Sequence, residues 1–120
     1  IPMLWYGPAL SEKWKGRKYQ RIGSHVDIPA SLLNQLGDDA LRNEAKSFHW
    51  SKDFFDTAYE EFAYYELNYG FGWVSSKGSL VYDRDVQNFK LNTVPIEETE
   101  KVLHDGQAYL QSVIQEYLNL

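Results

Sequence analysis

Cysteine is absent from this chain of 120 residues. Its absence excludes disulfides, thiolate metal sites and a cysteine nucleophile, and it suits a reducing compartment. No apolar run approaches the roughly 20 residues that a membrane-spanning helix needs. A cleavable signal pattern is also missing. From these absences a cytoplasmic location without a membrane partner is expected. The chain starts at Ile1 rather than a methionine, so an upstream piece outside this chain is expected. None of the glycine-rich phosphate loops, the G-x-S-x-G elbow or the H-E-x-x-H zinc helix occurs. Neither a cofactor nor a metal is therefore implied, and the reading leans away from an enzyme. Internal repeats and low-complexity segments are lacking too.

What is present is aromatic and acidic. Aromatic residues make up 16% of the chain, with nine Tyr and four Trp, which argues against a disordered polymer. Such side chains combine apolar area with a polar tip, as cores with wet edges and binding surfaces require. Net charge is −5. Residues 1–22 hold five basic side chains against Glu12 alone, whereas residues 23–120 hold seven basic against sixteen acidic. An acidic body repels nucleic acid and favours a basic partner.

Along the chain, Pro2, Gly7, Pro8 and Gly16 interrupt residues 1–16, so an extended aromatic arm carrying Trp5, Tyr6 and Trp14 is expected there. The remainder, 17–120, reads as one globular domain. Ile22, Val26 and Ile28 suggest a strand over 18–28. Pro29 with Asp27 as cap opens a short helix that ends at Gly37. Asp38 or Asp39 caps a second helix bearing Leu41, Ala45 and Phe48. Residues 52–69, after Ser51, read as an aromatic helix, because Phe54, Phe55, Ala58, Tyr59, Phe62, Tyr65 and Tyr69 recur at helical spacing. Residues 71–75 and 79–83 read as a hairpin around a Ser76-Lys77-Gly78 loop with Gly78 left-handed, and 86–91 as a further strand. From Pro95 onward, Ile96, Leu103, Leu110 and Tyr117 repeat every seven residues in one long amphipathic helix. The fold expected is α+β: a small antiparallel sheet, hairpin or meander plus an N-terminal strand, packed against three to four helices.

Candidate chemistry centres on Glu66. On the expected aromatic helix it falls amid the apolar face, where burial and the helix dipole would raise its pKa as general acid–base work requires. His49, between Phe48 and Trp50, would line the same pocket with Glu66 or Asp53. The plainer alternatives are a frayed helix end, a Glu66 ion pair and a packed loop histidine. Glu100 and His104 share a helix face without a third ligand, so a solvated pair is the simpler account. Asp83-Arg84-Asp85 has a sufficient local reason in turn formation.

The segment KWKGRKYQR interleaves Lys13, Lys15, Arg17, Lys18 and Arg21 with aromatics, a composition suited to phosphate and base contacts. Its acidic surroundings favour instead a soluble edge or an arm folded on its own body, and argue against a nucleic-acid partner. Tyr64 and Leu67, placed on the polar face of the expected helix beside Glu60 and Glu61, outline a surface for a basic protein. Gly106 in the last helix would let another backbone approach, and a homodimer through that helix is a further candidate arrangement. The leading functional expectation is a non-catalytic protein-binding module of inhibitor, immunity or adaptor type. A small ligand-binding domain or enzyme around Glu66 and a weak nucleic-acid contact are the alternatives.

Overall fold

The computed structural model describes residues 2–119; Ile1, at the tip of the expected arm, and Leu120 lie outside the described residues. The chain folds as two compact units. One runs up to Arg21 and resumes over His25–Tyr59; the other comprises Ile22–Ser24 and everything from Glu60 onward.

The first unit is largely irregular, because prolines and glycines interrupt its backbone ladder. A single 3-10 turn, Glu12–Trp14, interrupts the arm, and another, His25–Asp27, leads into α1 (Ile28–Gln35). Pro29 occupies the first turn of α1, where its missing N–H costs nothing. Asp27 stands at the N-cap as expected, but its side chain makes no capping bond; it turns inward. Helix α2 (Asp39–Ala45) starts at Asp38, whose carboxylate accepts from the backbone N–H of Ala40 and Leu41. Two of the elements expected here do not form. Residues 18–28 carry no strand, and residues 52–61 are turns and coil rather than the start of a helix.

The second unit holds the sheet. Strands β1 (Phe62–Leu67), β2 (Gly70–Ser75), β3 (Gly78–Asp83) and β4 (Asn88–Asn92) form an antiparallel meander in the order β1-β2-β3-β4. The α+β class expected from the sequence is therefore what forms. Its extra strand, however, comes from 62–67 and not from the N-terminal segment. Ile22–Ser24 only flank β1: the Ile22 N–H donates to Glu61 at 3.2 Å and the Tyr64 N–H to Ser24 Oγ at 3.4 Å. Asn68-Tyr69 links β1 to β2, and Ser76-Lys77 links β2 to β3, because Ser75 pairs with Gly78. The second loop is thus one residue shorter than expected. Gly78 opens β3 at φ 136°, where a Cβ would come within 2.8 Å of the Thr93 carbonyl.

Helix α3 (Ile96–Leu118) follows Pro95 at its N-cap. It packs on β2 and β3. Tyr64, Phe71, Trp73, Leu80, Val94, Val102 and Leu110 form the core between them, with Phe62, Tyr82, Phe89, Leu103 and Tyr109 at its margin. Close packing of Phe62 on Trp73, with ring centroids 4.1 Å apart, locks β1 to β2 on this face. At the start of α3, Lys77 Nζ in the β2–β3 loop donates to Glu98 at 2.8 Å.

Candidate protein-binding surface

Strand geometry decides which side chains of the second unit are available. Alternation places Phe62, Tyr64, Phe71, Trp73, Leu80 and Tyr82 toward α3, and their neighbours on the opposite face. The register then aligns Tyr65, Gly72, Val81 and Leu91 in one row across all four strands, next to a row holding Leu67, Gly70 and Asp83. Gly72 has no side chain, so the Tyr65 ring lies across its backbone; a Cβ there would sit 1.9 Å from Tyr65 Cζ. On this face Tyr65, Leu67 and Leu91 stay 40%, 41% and 46% exposed. Asp83 and Lys90 form an ion pair at 3.5 Å at its margin.

Tyr64 and Glu66, both assigned to a helix from the sequence, therefore sit on strand β1. Tyr64 is not a surface contact: it is 4% exposed, its ring 4.7 Å from Tyr109, and its hydroxyl has no hydrogen-bond partner among the described residues. Burial, and then the charge of Glu66, push the Tyr64 hydroxyl up to about 12, with Arg84 acting against them. Glu66 is exposed rather than desolvated on a helix face, so the physical basis for an acid–base role is gone. Leu67 is exposed as expected, but on the sheet. Glu60 is exposed, and Glu61 is half-buried where it accepts the Ile22 N–H.

His49 belongs to the first unit, exposed in a turn between α2 and Ser51. It and Glu66 do not share a unit. Asp53 acts on its own backbone and on α1, since its carboxylate accepts from the Phe55 N–H at 2.8 Å and from Asn34 at 3.1 Å. Burial raises its pKa, against the pull of those two bonds. Close by, Asp27 is fully buried and takes Lys52 Nζ at 2.9 and 3.1 Å and the Lys52 N–H at 2.9 Å. Burial lowers the Lys52 pKa and the charge of Asp27 opposes that. Ser31 accepts from the Phe54 N–H at 2.7 Å and donates to the Asp27 carbonyl at 2.6 Å. Sequence reasoning misses this polar knot, since nothing local to Asp27 points to Lys52. It fastens the 51–55 segment to α1.

The aromatic arm is anchored by the same segment. Trp5, Trp14 and Tyr19 surround Phe55 with ring centroids 5.5, 5.2 and 6.0 Å away. Tyr6 points outward, almost fully exposed. Trp5, Tyr6, Gly7, Pro8, Leu10, Lys15 and Gly16 line an open cleft of about 430 Å³. Of the five basic residues considered for nucleic acid, three have local employment. Arg21 donates to the carbonyls of Asp56 and Tyr59, Lys15 pairs with Glu12, and Lys13 Nζ sits 4.9 Å above the Trp14 ring. Arg17 and Lys18 are exposed.

Asp83 accepts from the N–H groups of Asp85 and Val86 at 3.0 and 3.2 Å, which makes Asp83-Arg84-Asp85 a turn device. The Val86 bond, the larger influence, holds the Asp83 carboxyl below its usual range. Glu100 and His104 are both exposed on α3, and among the described residues no three His, Asp or Glu converge as metal ligands. No helix of the described residues is long and apolar enough to cross a membrane. The chain matches no protein-family profile, no curated protein and no solved structure.

Proposed function

We propose that this chain is a non-catalytic protein-binding module whose docking surface is the α3-distal face of the sheet. The observation that carries this reading is the Tyr65–Val81–Leu91 row, flanked by Leu67, left partly exposed on a sheet whose other face is filled. Exposed apolar surface of this kind supplies the anchors of an interface, and a large tyrosine over a bare glycine presents apolar area at little entropic cost. Charge supports the nature of the partner. The unit carrying the sheet has ten acidic side chains against four basic ones, a net of −6. A protein with a basic rim around an apolar patch complements it, and attraction between the two speeds encounter.

The test is affinity capture on the immobilised chain, followed by titration of the captured protein against variants. Leu67→Lys and Leu91→Lys place a cation in the patch without touching the core, so each should weaken binding at least about tenfold, the effect of losing one interface anchor. Raising the salt concentration should slow association. A captured protein that binds both variants as well as the parent chain would refute the proposal, as would capture only of nucleic acid.

A further inference from the structure

We infer that the C-terminal half of α3 is a self-association surface, on which a second copy of this chain packs its own α3 antiparallel. The inference is independent of the docking face proposed for the sheet. It begins with a mismatch of lengths. A helix of 23 residues spans about 35 Å, while strands of six residues span about 20 Å. The seam of α3 that faces the core runs through Val102, Gly106 and Leu110, all buried. Seven residues after Leu110 comes Tyr117, on the same side of the helix, yet it is 74% exposed. Leu118 is 70% and Ile114 39% exposed. The apolar seam thus continues for two turns past the layer beneath it.

Charge selects the occupant. Over residues 107–119 the helix holds one ionisable charge, Glu116, among Gln, Ser and Asn. Its first half carries Glu97, Glu98, Glu100 and Asp105 against Lys101. A basic partner would find one carboxylate to meet on the overhang, whereas the depletion of charge matches an interface core. Two copies crossing near residue 116 in antiparallel fashion bury Ile114, Tyr117 and Leu118 against each other about a two-fold axis. Each acidic first turn then lies about 28 Å from the crossing point, on opposite sides of it. That distance is well beyond the roughly 8 Å over which exposed charges act in physiological salt. A parallel pair would set the acidic turns side by side. Two turns per copy cover less than the roughly 800 Å² per partner of a standard interface, so the dimer is weak and exchanges readily.

Sedimentation equilibrium of the full chain from about 10 µM to 1 mM, the range in which so small an interface dissociates, tests this. The apparent mass should climb from 14.0 kDa toward twice that value. Tyr117→Glu and Leu118→Glu should each hold it at the monomer mass with an unchanged circular dichroism spectrum, since both side chains are exposed in the single chain. Ile96→Glu, at the other end of the same helix and still more exposed, should dimerise like the parent. The midpoint should be insensitive to salt, because the acidic turns are far apart. A monomer throughout the range, an association that survives both glutamate variants, or one that tightens steeply with salt would overturn the inference.

Discussion

The Phe71 ring lies against the backbone of α3 at Gly106, so close that a Cβ on residue 106 would fall 2.2 Å from Phe71 Cε2. Phe71 is completely buried and cannot move aside without displacing its neighbours. Gly106 is thus the point at which the helix touches the sheet, rather than an opening for another molecule. Alanine normally favours a helix over glycine by about 1 kcal/mol. Here overpacking should outweigh that gain, since forcing a methyl into a filled core costs about 1–3 kcal/mol. Gly106→Ala should therefore lower the urea midpoint, and pairing it with Phe71→Leu should recover part of the loss. A rise in the midpoint for Gly106→Ala alone would show that the helix can lift off the ring at little cost.

Gly72, in strand β2, meets a ring that can yield. Tyr65 lies over Gly72 on the exposed face, so Gly72→Ala should push the ring outward instead of straining the core. Loss of one cross-strand contact costs about 1 kcal/mol or less. The variant should remain folded by circular dichroism, while a hydrogen–deuterium or NMR probe of Tyr65 registers the displaced ring. If the proposed docking face is correct, its partner should bind this variant more weakly, since the tyrosine platform has changed shape.

The helices that are legible in the sequence are those with caps and breakers: Pro29 and Asp38 mark α1 and α2, and the seven-residue spacing from Leu103 to Tyr117 marks α3. Strand β1 is not legible. Its residues, Phe-Ala-Tyr-Tyr-Glu-Leu, are apolar on both faces, so they fit a helical stripe as well as an alternating strand. Only the cross-strand pairing of Tyr65 with Gly72 resolves the ambiguity, and that is a non-local fact. Reading β1 as helix carries Glu66 onto an apolar face and Tyr64 onto a surface; in the strand Tyr64 is in the core, and Glu66, on the same face two residues nearer the strand end, is exposed. The segment 18–28 misleads for the opposite reason. Its alternation is genuine, but it carries no strand; the Ile22 N–H donates to Glu61 just before β1, and Ser24 Oγ accepts from the Tyr64 N–H within β1.

The buried Asp27–Lys52 pair should be more costly to break than to replace. Asp27 loses all contact with water, and its oxygens receive both the ammonium and the backbone N–H of Lys52. Removing one partner of such a pair leaves an unmatched charge in low dielectric, at a cost of about 3–5 kcal/mol. Asp27→Asn should destabilise the first unit by about that amount in urea titrations followed by tryptophan fluorescence. The double variant Asp27→Asn/Lys52→Met should be less damaged than the two single losses added together. Additive losses would mean that the two side chains are not energetically coupled.

Tyr64 offers the reverse case, a polar group whose removal should help. Its ring packs with Phe71 and Tyr109, its hydroxyl is buried with no hydrogen-bond partner among the described residues, and an unsatisfied buried group costs about 1–3 kcal/mol. Tyr64→Phe keeps the ring and deletes the hydroxyl, so it should raise stability by about 1 kcal/mol. The same burial predicts a pH signature. The folded-state pKa of about 12 lies above the unfolded value of 10.0, so the native chain holds this proton more tightly than the unfolded one does. The associated stability is present in full below pH 10.0 and is lost as pH climbs from 10.0 toward about 12. Absorbance at alkaline pH should therefore show one tyrosine ionising late, in step with unfolding. In Tyr64→Phe that late phase should vanish, and stability should fall less steeply over the same interval. A Tyr64→Phe chain that is less stable than the parent would mean that the hydroxyl has a bonding partner after all, and a late phase that persists would assign it to another of the nine tyrosines.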